Sequence, residues 1–127
     1  MLVLFGSTSL LRADEFTVYD GTATNGYVPV YGFYSDAYLK SEMVYPASAL
    51  ADIEGTMING MTFYATQASV NWGTNFQVFV AEVEDETISA FAGPEAGTVV
   101  YEGALSIVDN QMVVTFDEPY FYEGVTF

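Results

Sequence analysis

The chain has 127 residues, 17 of them acidic and 2 basic, for a net charge of −15, with no histidine and no cysteine. Two cations cannot build the basic footprint that displaces counterions from phosphate, so nucleic acid is excluded as a partner. Without cysteine or histidine there are no disulfides, zinc–thiolate or iron–sulfur centres, thiol nucleophiles, imidazole-ligated metals or Ser-His-Asp triads.

A hydrophobic share of 51% and an aromatic share of 17% separate the chain from disordered acidic tails. Tyrosine and phenylalanine at this density fit pleated, half-buried surfaces, and the length suits one domain. At the N-terminus, Met1-Leu2-Val3-Leu4-Phe5 leads through small residues to Ala13, just before Asp14-Glu15. This reads as the end of a secretory signal peptide cleaved after Ala13. Residues 1–13 would then be a signal remnant and residues 14–127 the domain, secreted or held at the outer cell surface. A basic start is missing and Leu11 stands where a small residue is preferred, so a first strand over residues 2–5 is the alternative. No stretch approaches ~18 apolar residues, and no transmembrane segment is expected.

Beyond Ala13, glycine and Asn/Asp pairs punctuate short apolar runs, the spacing of an antiparallel sandwich or barrel. Residues 16–19 read as a strand closed by Asp20-Gly21. Residues 27–34 alternate aromatic and small side chains around Pro29, which restricts them to an edge strand or extended loop. Residues 39–45 read as a strand, and residues 46–52 as one short helical turn opened by Pro46. Around Asn59-Gly60 the chain is either a tight hairpin or one kinked strand; the shortness of Met57-Ile58 favours the kink. Residues 67–75 read as a polar loop and residues 76–83 as a buried strand. Residues 98–102, 104–108 and 111–116 follow as strands, the last two joined by an Asp109-Asn110 hairpin loop. Asp117-Glu118-Pro119 should interrupt pairing. Val125-Thr126-Phe127 is apolar and strand-like, which leads us to expect truncation of a longer chain.

Five segments together resemble a module of large secreted surface proteins from Bacteroidetes-type bacteria: TATNGYVPVYGFY (22–34), SEMVYPASAL (41–50), GMTFY (60–64), FQVFV (76–80) and TFDEPYFYEG (115–124). That family continues its last motif with a second glycine and an Asn-Leu-Leu-like strand, where this chain has Val125-Thr126-Phe127. The resemblance implies an all-β, jelly-roll-like antiparallel sandwich, export, and adhesion or glycan contact beside neighbouring domains of the same chain. It supplies no catalytic residues.

Four groups are candidates for chemistry. Glu82, Glu84 and Glu86 would share one face of an extended strand and could hold calcium; the plainer alternative is a solvated strand end. Trp72, flanked by Asn71 and Asn75, offers the ring face and amides of a sugar site, or else caps the core. Tyr31 and Tyr34, with Tyr27 and Tyr38, offer a recognition surface or else seal the sandwich. A carboxylate pair for glycoside cleavage is nearly uninformative in so acidic a chain, and Ser41 beside Lys40 would point to the opposite strand face. The expectation is therefore no enzyme. We expect a non-catalytic binding or structural module touching a glycan or a host surface protein. The alternatives are a carbohydrate-binding module of a glycan-degrading enzyme and a calcium-rigidified spacer.

Overall fold

Local turn chemistry and period-two burial explain most of the architecture. The computed structural model describes residues 2–7, 13–19, 29 and 40–127. Its strands are β1 (Leu2–Ser7), β2 (Ala13–Val18), β3 (Met57–Tyr64), β4 (Ser69–Val80), β5 (Thr98–Val108) and β6 (Gln111–Phe121). The helical content described is three 3₁₀ turns, Ala47–Ala49, Ala51–Ile53 and Pro94–Ala96. The protein is thus all-β, with the short helical segment where Pro46 announced it. All six strands lie in one antiparallel sheet in the order β2-β1-β3-β6-β5-β4. The two packed sheets of a jelly-roll-like sandwich are not seen among the described residues. The order β3-β6-β5-β4 is nevertheless that of a Greek key.

The β5–β6 hairpin is the most locally determined part. Asp109 and Asn110 have φ of 52° and 64°, and Val108 pairs with Gln111. Two consecutive left-handed residues match the twist of the flanking strands, a conformation that Asp and Asn tolerate. The tip is also clamped. Asn110 Nδ2 donates to the carbonyls of Ala65 (3.1 Å) and Thr66 (3.2 Å). The Asn110 N–H donates to Ala68 O, and the Ala65 N–H to Asn110 O. The connection from β3 to β4 is therefore tied to the hairpin it crosses. Asn110→Ala is expected to lose about 1–2 kcal/mol in chemical denaturation, from two side-chain hydrogen bonds and a strained φ. Asn110→Gly, which keeps the backbone geometry, should lose less.

Asn59-Gly60 is a kink inside β3 and not a turn. The β3–β6 register shifts between Ile58 and Gly60, and a Cβ on Gly60 would sit 2.5 Å from Val114 O. On the β6 side the break spans Asp117-Glu118-Pro119, as proline without an N–H requires. Along β6, Met112, Val114 and Phe116 are buried while Gln111, Val113, Thr115 and Asp117 are exposed. In β5 the buried parity changes from Val100 to Leu105 and Ile107 across Gly103. One continuous core gathers these with Leu4, Val18, Ile58, Met61, Val80, Leu50, Tyr122 and Phe127.

Residues 2–7, where a first strand over residues 2–5 is the alternative reading, form β1 between β2 and β3, with Leu4 1% exposed. Several other expectations are corrected. Residues 67–75 are mostly strand: β4 begins at Ser69 and ends at Val80, short of Val83. Residues 98–102 and 104–108 are one strand. Residues 40–45 form no regular strand; Tyr45 exchanges N–H···O bonds of 2.7 and 2.9 Å with Phe127. Among the described residues no helix is long and apolar enough to cross a membrane.

Candidate functional site

The features expected to carry chemistry gather at the two ends of β4. In its first half the register with β5 shifts, Asn71 lying opposite Ser106 and Asn75 opposite Ala104. Four steps along β4 thus match two along β5, and the excess bulges out at residues 72–74. Trp72 therefore stands in a bulge and not on a loop. Its ring is partly buried against the core and meets Phe76 edge-on, with centroids 5.9 Å apart and an interplanar angle of 75°. Its Nε1 is enclosed and has no hydrogen-bond partner among the described residues. A large indole beside apolar neighbours turns inward, because burying its ring outweighs solvating one N–H.

Asn71 and Asn75 are exposed. Asn75 joins Phe76, Gln77, Glu102 and Gly103 in lining a shallow open depression. Trp72 is not part of that lining. Gln77 Nε2 donates to Glu102 Oε1 at 2.6 Å across the strand pair. Tyr31 and Tyr34, with Tyr27 and Tyr38, lie outside the described residues.

Past the other end of β4, the acidic run takes an unexpected form. Because the strand ends at Val80, Glu82, Glu84 and Glu86 do not share a strand face. Val83 makes only an isolated bridge to Thr126. Glu82 turns to the segment after β6: its Oε1 accepts from the N–H groups of Glu123 (3.0 Å), Gly124 (2.9 Å) and Val125 (3.0 Å). Its Oε2 accepts from Tyr120 Oη (3.1 Å) and again from the Glu123 N–H (3.1 Å). Gly124 has φ of 110°, which lets three successive N–H groups converge on one anion. Glu84 and Glu86 are exposed.

Glu42 repeats the device, accepting from the N–H groups of Ala92 (3.0 Å) and Gly93 (2.9 Å). Nothing local in the sequence pairs these partners, since Glu82 lies 41 to 43 residues from its N–H donors across β5 and β6, and Glu42 lies 50 and 51 residues from its own across β3 and β4. Among the described residues no three acidic side chains are arranged to hold a metal ion. Millimolar calcium is accordingly expected to raise the melting temperature no more than sodium chloride of matched ionic strength. A calcium-specific rise would support the metal reading.

Three tyrosines respond to this packing. Burial, then the neighbouring Glu82 charge, pushes Tyr120 up to about 12. Burial, then Tyr19, does the same for Tyr45, also to about 12. Tyr122 is raised by burial, then by Glu82. Each is more easily ionised in the unfolded chain than in the fold. The stability that Tyr45 and Tyr120 contribute is complete below pH 10 and declines as pH rises from about 10 to about 12. Tyrosinate absorbance followed by pH titration is expected to show a late-ionising fraction that Tyr120→Phe reduces.

Comparison with protein-family models, with curated proteins and with solved structures finds no match to this chain.

Proposed function

We propose that the domain is a non-catalytic module of a larger protein displayed at a bacterial surface, serving adhesion or the spacing of neighbouring domains. The observation that carries this reading is the use the fold makes of its best-oriented acids. Glu82 and Glu42 hold backbone N–H groups and are not free to act on a substrate. General acid–base work needs a carboxylate that faces a cleft and excludes water. The depression beside β4 is open, with Glu102 tied to Gln77. Such a surface suits contact with a glycan or with a protein, where the amides of Asn75 and Gln77 meet hydroxyls. The surface location rests on the segment resemblance. Because residues 2–7 also supply β1, we read them as part of the domain.

A glycan array probed with the wild type and with the Asn75→Ala/Gln77→Ala double variant tests the contact. The double variant is expected to lose the signal that the wild type gives. Equal signals would remove the depression from the reading, and no signal from either would leave spacing alone. Product release from a panel of chromogenic glycosides and esters would overturn the non-catalytic assignment.

A further inference from the structure

Residues 123–127 are held as a middle strand between two distant segments of the chain. Phe127 exchanges main-chain bonds of 2.7 and 2.9 Å with Tyr45. On the opposite flank the Val83 N–H donates to Thr126 O at 2.8 Å, in an antiparallel bridge. Neighbouring residues of an extended strand direct their main-chain groups to opposite edges, so Thr126 and Phe127 serve one flank each. Ahead of them, Glu82 accepts from the N–H groups of Glu123, Gly124 and Val125, and Tyr122 Oη donates to Val125 O. The centroid of the Phe127 ring lies 5.7 Å from that of Tyr120 and 5.8 Å from that of Tyr122. Tyr122 is fixed independently of this segment, since its main chain bonds to Thr56 and Gly55.

The groups that grip residues 123–127 are therefore Tyr45, Glu82, Val83, Tyr120 and Tyr122, all outside the segment. Neither flank, Tyr45 or Val83, belongs to a strand of the six-stranded sheet. We propose that this arrangement is a binding site for an extended polypeptide segment, kept closed by residues 123–127 acting as a displaceable strap.

The seated residues show what the site accepts. Both flanks recognise main chain, the mode by which a strand is added between edges. The clasp requires glycine: Gly124 has φ of 110°, and a Cβ there would lie 2.6 Å from Glu54 Cγ. Three residues on, an aromatic ring fills the place beside Tyr120 and Tyr122. The partner is thus a polypeptide that presents a glycine and, three residues later, an aromatic side chain in extended form. Release of the strap leaves the main-chain groups of Tyr45 and Val83 and the Glu82 carboxylate without these bonds. An incoming segment of the same pattern restores them, which is the driving force for exchange. Local opening of this kind requires less free energy than global unfolding.

Amide exchange of the full wild-type chain, with the peptide acetyl-Glu-Gly-Val-Thr-Phe-amide added at millimolar concentration, tests the proposal. While peptide fills the opened site, the strap stays out and its own N–H groups exchange. The amides of Gly124, Val125 and Phe127 should accelerate, roughly tenfold when peptide exceeds its Kd for the open site by about ten times. The amides of Tyr45 and Val83 should keep their rates, because the peptide covers them whenever the strap does not. A control peptide with alanine in place of the glycine is expected to have no effect. Gly124→Ala in the full chain strains the strap and leaves the site intact. Its strap amides should exchange faster without peptide, and its apparent affinity for the glycine peptide should rise by the same factor. Strap exchange that ignores the glycine peptide at every concentration overturns the proposal. So does acceleration of Tyr45 and Val83 together with the strap, or an equal effect of the alanine peptide.

Discussion

Glu82→Ala is expected to lower the stability of the fold by about 2–3 kcal/mol, the range for hydrogen bonds to a charged group. The loss follows from the geometry. One carboxylate accepts from three consecutive N–H groups and from the Tyr120 hydroxyl. Those N–H groups point at a single place, and alanine offers them nothing there. Gln keeps one acceptor oxygen but brings an amide N–H₂ to face donors, so Glu82→Gln should fall between alanine and wild type. Urea unfolding measures both: the midpoint should drop while the slope stays constant. Amide exchange adds a local signature, with residues 123–125 losing protection before the core of β6. Midpoints unchanged in both variants would show that the carboxylate is dispensable to the fold.

Removing residues 1–13 is expected to have the larger effect, abolishing cooperative unfolding. β1 holds β2 on one side and β3 on the other. Without it, β2 has no neighbour on the described sheet, and the flank of β3 that β1 covers is opened. Leu4 is fully buried in the shared core, and Leu4→Ala alone should lose about 2–5 kcal/mol. The comparison also decides how the N-terminal apolar run is read. A chain beginning at Asp14 that melts as sharply as the full chain would show residues 1–13 to be dispensable, as a removable leader must be. Thermal unfolding followed by near-ultraviolet circular dichroism distinguishes the outcomes, because aromatic packing is lost with the sheet.

What could be read from the sequence divides along the distance over which each interaction acts. The hairpin at Asp109-Asn110 was legible because two residues carry its whole conformational demand. The kink at Asn59-Gly60 was legible because a two-residue partner strand is too short to pair. β6 was legible in its alternation, and proline placed its interruption. The first half of β4 was not: Asn71, Trp72, Gly73 and Asn75 have the composition of a loop. Only the register with β5 shows them to be a strand with a bulge. The role of Glu82 was missed for a related reason. Strand parity assumes extension through residue 86, whereas the strand ends at Val80. Glu42 had no sequence signal at all, since its partners at Ala92 and Gly93 become neighbours only through folding.

The attachment of the last residues has a mechanical consequence. Phe127 exchanges two main-chain bonds with Tyr45, Thr126 bridges to Val83, and Tyr122 Oη donates to Val125 O at 2.7 Å. A tensile load drawn through Phe127 would reach the Tyr45 ladder first, then the Val83 bridge and the Glu82 clasp, and only afterwards β6. The segment would yield in stages, and because Phe127 is itself a core residue, the first of them would already withdraw a buried ring from the interior.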